Sequence, residues 1–205
     1  MSRESEYYDK LYSENAVTFG KGMPEGIVTE IVAQRTSGSV LELGAGEGRN
    51  SLFLAQQGFD VTAQDQAKVG IDKIRKQAAE RGLNIHAEVG DARTALADGN
   101  FDIIVSTFML HHLSRQEALA LIQRIQDCTN VEGLNAIAAF TNDGDFYNEK
   151  PDTSKFYPHK NELRELYEGW EIVNYTELRS TAQKKKSDGS PMFNTAARLL
   201  AKKIK

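Results

Sequence analysis

Residues 39–65 read SVLELGAGEGRNSLFLAQQGFDVTAQD, and this stretch limits the possible folds more than any other. The apolar run at 39–44 has the length of a short buried strand, and DVTAQD at 60–65 gives a second. A helix is expected between them, from near Arg49 to Gly58. Gly44, Gly46 and Gly48 stand where the first strand gives way to that helix. Glycine permits positive φ and lets another molecule approach the bare backbone, so the turn is either a tight corner or a ligand cradle.

The rest of the chain repeats the alternation. Residues 68–81 predict a helix stopped by Gly82, 84–90 a third strand and 101–108 a fourth. The fourth run, FDIIVSTF, is β-branched and apolar without strict alternation, as in a central parallel strand buried on both faces. Ser114 and Glu117 have capping-box spacing, and Ala118, Leu121, Ile122 and Ile125 behind them form one helical stripe. A strand is expected at 133–140, a long polar and aromatic loop at 140–159, a helix at 161–169, and strands at 170–178 and near 193–203. This order predicts an α/β, doubly wound sheet with helices on both faces. Ligands of such sheets sit at the carboxyl ends of the strands, near the point where strand order reverses.

Composition narrows the function. A chain of 205 residues suits one α/β domain, and its 40% hydrophobic and 26% charged residues are ordinary for a soluble protein. The net charge of −4 provides no basic surplus for nucleic acid. The single cysteine, Cys128, rules out an intramolecular disulfide and reads as a small core residue within a helix. No apolar run reaches the ~18–20 residues of a membrane span, and the start, MSRESEYYDKLYSENAV, has no signal-peptide character. A cytoplasmic protein is expected.

Two carboxylates favour a ligand at the glycine turn. Asp65 ends the second strand about 20 residues after Gly44, the separation of an acid that binds ribose hydroxyls. Asp91 ends the third strand on the same rim. The spacing is not that of a dinucleotide fingerprint, because Arg49 stands where G-x-G-x-x-G needs its third glycine. A cation at a helix N-terminus opposes the helix dipole, so Arg49 is either solvated on the rim or holds a ligand carboxylate.

The segment VLELGAGEGRNSLFLAQQGFDVTAQD resembles the first motif of class I S-adenosylmethionine-dependent methyltransferases. GRNS, together with FYPHKNELRELYEGWEIVNY, is similar to the TehB-type branch, the tellurite-resistance methyltransferases and their small-molecule relatives. The resemblance implies the Rossmann-like methyltransferase fold, a mostly parallel seven-stranded sheet with an antiparallel last strand. It implies a single domain over 1–205, with a cofactor-covering segment at 1–35, a cofactor-binding half at 36–140 and a substrate-side half at 141–205. S-adenosylmethionine is the implied cofactor and a small molecule the implied acceptor; no metal is expected, and the chain is expected to be a monomer or homodimer.

By the same resemblance Glu42 orders the loop, and Gly44, Ala45, Gly46 and Gly48 pack against the methionine and ribose. Arg49 lies near the cofactor carboxylate, Asp65 accepts both ribose hydroxyls, and Gln66 stands beside the adenine. Asp91 and Ala92 meet the adenine amino group, Ser106 and Thr107 line the floor beneath the sulfonium, and Tyr8 or Tyr12 acts as a lid. His111 and His112 are the candidate general bases; each could instead cap the following helix or face water. In the 140–159 loop, Phe146, Tyr147, Phe156 and Tyr157 suggest a substrate-side cover. QKKKSDGS at 183–190 reads as a solvated hairpin tip or as a positive rim for an anionic substrate.

Three positions depart from the branch pattern. Gln183 and Lys184 stand where it has a His-Arg pair, and Ala45 where cysteine is frequent. The acceptor is therefore open between an oxyanion such as tellurite and a thiol. A nicotinamide-dependent oxidoreductase and a cofactor-binding regulatory protein are the alternatives. An amino-directed nucleic-acid methyltransferase is disfavoured by STFML after the fourth strand, where such enzymes carry N-P-P-[YFW].

Overall fold

The computed structural model describes residues 3–94, 99–149 and 151–205; the side chains of Gln183 and Lys184 lie outside that description. Among these residues seven strands form one sheet: β1 (Ser39–Leu43), β2 (Asp60–Asp65), β3 (Ile85–Val89), β4 (Phe101–Thr107), β5 (Thr129–Gly144), β6 (Glu171–Lys185) and β7 (Pro191–Lys202). Their order is β3-β2-β1-β4-β5-β7-β6. Strands β1 to β5 pair in parallel, and β7 enters antiparallel between β5 and β6. The expected doubly wound, mostly parallel sheet with an antiparallel last strand is thus observed. Strand order reverses between β1 and β4, so the loops after these two strands diverge and leave a crevice.

The helices are α1 (Arg3–Glu14), α2 (Gly26–Thr29), α3 (Ile31–Gln34), α4 (Arg49–Gln56), α5 (Lys68–Arg81), α6 (Arg115–Asp127), α7 (Asp145–Glu149) and α8 (Glu162–Glu165). The period of two along each strand sorts the core into layers. Leu41, Leu43, Ile104, Ile137 and Leu199 pack on one face against Ala118, Leu121, Ile122 and Ile125 of α6. Val40, Ile103, Val105 and Leu200 pack on the other against Ile27, Val28, Ile31 and Leu54. Burying each Leu or Ile of the α6 stripe contributes about 1.5–3 kcal/mol. The capping box at Ser114 forms as expected: its hydroxyl accepts from the Glu117 amide, and the Glu117 carboxylate accepts from the Ser114 amide.

Several expectations need correction. The 161–169 helix is one turn of α8, because the chain then tightens to i→i−3 bonds, Tyr167 to Arg164 and Glu168 to Glu165. This geometry tucks Tyr167 into the core, where its hydroxyl donates to Asn135 Oδ1 at 3.1 Å. The 140–159 loop is shorter than expected: β5 runs on to Gly144 by pairing with β7, and α7 follows. Phe156 is core rather than cover, with no exposed surface. Cys128 caps the end of α6 and is half-buried, not mid-helix. The 183–190 segment joins β6 to β7 through a turn at 186–190, as expected for a hairpin.

Candidate active site

The turn after β1 is tied to the end of β2. The amides of Gly44 and Ala45 donate to Gln64 O at 2.9 and 3.0 Å. The amide of Gly46 donates to Asp65 Oδ2 at 2.8 Å, and that of Ala67 to Asp65 Oδ1 at 2.8 Å. Gly46 has φ +57°, and a Cβ there would lie 2.9 Å from the Tyr12 hydroxyl oxygen. A Cβ on Gly48, the left-handed N-cap of α4, would lie 2.6 Å from Ile74. The bare backbone thus fits the turn between α1 and α5. Burial pushes the Asp65 carboxyl up, against the two amide bonds that favour its ionised form.

Behind the turn is a buried polar network. Glu42 is 1% exposed and accepts from Asn50 Nδ2 at 2.7 Å and from the Ser51 hydroxyl. The same Asn50 Nδ2 reaches Thr107 Oγ1 at 3.1 Å, and Asn50 Oδ1 accepts the Glu25 amide at 2.8 Å. Burial pushes the Glu42 carboxyl up to about 7, despite these hydrogen bonds and the charge of Arg49. Glu25 in turn bridges two cations, Arg49 at 3.3 Å and Arg198 of β7 at 2.5 Å.

Helix α1 crosses above. Asp9 Oδ1 accepts the Val69 amide at 2.7 Å, fixing α1 to the first turn of α5. Tyr12 is 4% exposed, and the Tyr8 hydroxyl lies 3.0 Å from His112 Nε2. Beneath α1 and the chain up to Glu25 lies a cavity of about 1350 Å³. Gly44, Ala45, Gly46, Asp65, Gln66 and Ala92 line one end. Phe108, Phe140, Phe146, His111 and Arg198 line the other, with Glu42, Arg49, Thr107, Tyr8, Tyr12 and His112 between or around them.

Three expected site residues do not line it. Gly48 serves packing. Asp91 turns its carboxylate to Arg93, at 2.5 Å, which holds its pKa below the usual carboxylate range. Ser106 is fully buried beside Thr107 but on the opposite face of β4, because successive strand residues point to opposite sides. Of the loop aromatics, Phe146 reaches the cavity, while Tyr147 and Tyr157 pair at 5.3 Å.

The two histidines differ in environment. The His111 ring lies tilted, 4.1 Å from that of His112 and 5.4 Å from that of Phe140, and its Nδ1 is buried without a hydrogen-bond partner among the described residues. Burial, with the charges of His112 and Lys155, holds its pKa well below the ordinary value, so the ring is neutral. His112 has Tyr8 on Nε2 and Glu4 3.6 Å from Nδ1; burial lowers its pKa while Glu4 opposes the shift.

Sequence reasoning missed Glu25, Phe108, Gly70 and Arg198. Gly70 carried a readable signal, a glycine inside a helical pattern. A Cβ on it would lie 2.4 Å from Gly46 O. The other three announce themselves only through contacts with residues far along the chain.

A family model described as "Tellurite resistance protein TehB" matches residues 1–196. The chain belongs to the TehB family. The "Probable S-adenosyl-L-methionine-dependent methyltransferase TehB" of Haemophilus influenzae (strain 10810) is 31% identical over 201 residues, covering 98% of this TehB-family chain and 67% of that protein. The crystal structure of TehB from Haemophilus influenzae superposes with a TM-score of 0.78 over 98% of this chain and 67% of that one, at 31% identity. Magnesium protoporphyrin IX methyltransferase (ChlM) from Synechocystis PCC 6803, with bound SAH, shares the fold at a TM-score of 0.69 and 18% identity, over 98% of this chain and 95% of that one. This TehB-family protein is therefore an S-adenosylmethionine-dependent methyltransferase. Among its described residues no helix is long and apolar enough to cross a membrane, and no group of three or more His, Cys, Asp or Glu could hold a metal ion.

Proposed function

We propose that this chain methylates a small nucleophile, a thiol or an oxyanion such as tellurite, in the cavity beneath its N-terminal segment. One observation carries the reading: a carboxylate-anchored glycine turn and the neutral ring of His111 line the same cavity. The residues fit the cofactor. Asp65 gives each oxygen to one amide and keeps a further lone pair on each for ribose hydroxyls. Gly44, Ala45 and Gly46 offer close approach to the methionine and ribose, with Gly48 and Glu42 holding the turn in place. Arg49 would hold the carboxylate, Gln66 and Ala92 would flank the adenine, and Thr107 would lie on the floor. Tyr8 and Tyr12 would cover the site. We assign 1–35 to the cover, 36–140 to the cofactor half and 141–205 to the acceptor side.

When bound, S-adenosylmethionine supplies an electrophilic methyl group on a sulfonium, open to in-line displacement. The chain's own contribution is to hold the nucleophile in line and exclude water, which can lower the barrier by about 7–11 kcal/mol. The neutral His111 imidazole accepts a proton from a nucleophile that arrives protonated. His112 is committed to Tyr8 and Glu4, and acts on the cover rather than on the acceptor. We further infer a cytoplasmic monomer or homodimer with no nucleic-acid or membrane partner; the net charge of −4 supports the nucleic-acid part of this reading.

Calorimetric titration with S-adenosylmethionine and, separately, NADH tests this on the wild type and on Asp65→Ala. The expected result is micromolar binding of S-adenosylmethionine alone, lost in the variant, with S-adenosylhomocysteine formed when tellurite or thiols are added. Heat with NADH would support the oxidoreductase instead. Binding without turnover of any acceptor would support a regulatory protein.

A further inference from the structure

At the acceptor end, one carboxylate serves two guanidinium groups. Glu25 Oε1 takes Nε of Arg198 at 2.5 Å, and Oε2 takes Nη2 of Arg49 at 3.3 Å. The trio carries one surplus positive charge, and its side chains are only 11–22% exposed. The cofactor's carboxylate, ammonium and sulfonium together add a further positive charge. An anion is thus the complementary partner of this end of the cavity.

Glu25 and Ala196 O hold one side of Arg198, and aromatic rings cover another. Its guanidinium lies 5.6 Å from the centroid of Phe108, which is 4.7 Å from Phe140; Phe140 is in turn 5.2 Å from Phe146 edge-on. Phe108 reaches this position through a left-handed backbone at φ +55°, just after β4, with its amide bonded to Ala138 O at 2.7 Å. His111 closes the row, 5.4 Å from Phe140. A bare inorganic oxyanion would exchange its hydration for one guanidinium and a wall of rings that donate no strong hydrogen bonds. A flat apolar body stacks well on such rings.

We propose that Arg198 is the residue that selects the methyl acceptor, and that the acceptor is a small organic anion with a flat, apolar body rather than a bare oxyanion. The acid group binds Arg198, the body lies along Phe108 and Phe140, and the nucleophile points to His111. This rests on the methyltransferase reading and narrows its acceptor.

The test uses the full chain saturated with S-adenosylhomocysteine and titrated with benzoate, benzamide and tellurite at neutral pH. Benzoate is expected to bind about tenfold or more tightly than benzamide, the range of a charge-assisted hydrogen bond, and more tightly than tellurite. Arg198→Gln removes the preference for benzoate, while Arg198→Lys keeps most of it. Phe140→Ala weakens benzoate and benzamide alike. Retained S-adenosylhomocysteine affinity in Arg198→Gln shows that the variant is folded. Benzamide binding as tightly as benzoate, tellurite binding more tightly, no benzoate binding, or a preference that survives in Arg198→Gln would each overturn the proposal. Failure of the wild type to bind S-adenosylhomocysteine would instead overturn the methyltransferase reading, and this proposal with it.

Discussion

The hydroxyl of Tyr8 and Nε2 of His112 lie 3.0 Å apart, joining residues separated by 104 positions. Burial raises the Tyr8 pKa, so the phenol stays protonated and donates, leaving Nδ1–H to face Glu4. Through this bond α1 is held to the turn after β4. Tyr8→Phe keeps the ring contacts and loses the bond, a net cost of about 0.5–1.5 kcal/mol. S-adenosylhomocysteine is expected to leave the variant several-fold faster in stopped-flow fluorescence. An unchanged off-rate would mean that α1 does not cover the cofactor.

Gly70→Ala tests the packing of α5 against the glycine turn. Alanine in a helix interior normally stabilises by about 1 kcal/mol relative to glycine. Here its Cβ would meet Gly46 O at 2.4 Å, a backbone atom that cannot swing aside. The variant is expected to be less stable in urea unfolding and to bind S-adenosylmethionine at least about tenfold more weakly, since the turn must shift. A gain in stability with unchanged binding would show that the contact is soft.

Glu42 gives the fold a pH slope. Its folded pKa of about 7 lies above the unfolded value, so the native state binds the proton more tightly. The contribution is fully present below the unfolded pKa and is lost as pH rises through about 7. Its size is on the order of 3 kcal/mol. Glu42→Gln should therefore gain stability relative to the wild type as pH goes from 5 to 8, read by urea unfolding at each pH. A difference that stays flat with pH would show that Glu42 is ionised throughout.

His111→Asn should lower kcat for a thiol acceptor about 100-fold near neutral pH, with S-adenosylmethionine affinity unchanged. Because burial holds the His111 pKa well below its ordinary value, the wild type should keep the neutral base as pH falls through 6.5. The loss in the variant should shrink above the thiol's own pKa, where no proton remains to be taken. A deficit independent of pH would make His111 a packing residue.

Much of this protein is determined by local sequence. The strand lengths at 60–65, the stop of α5 at Gly82 and the cap of α6 at Ser114 follow from chemistry within a few residues, so they could be read directly. The glycine turn and Asp65 were equally legible, because their spacing is fixed by one strand–helix–strand unit. Tertiary structure alone decided the rest. Pairing with β7 drew β5 out to Gly144, and the strand's period of two turned Ser106 away from the cavity that Thr107 lines. Phe156 went to the core and Phe146, on α7, to the cavity, although the sequence reads both as aromatic residues of one loop. Glu25 and Arg198 meet across 173 positions, and no local pattern marks either. Local chemistry sets the elements and the glycine turn; the cluster of Glu25, Phe108 and Arg198 is assembled from side chains that only the folded sheet brings within reach.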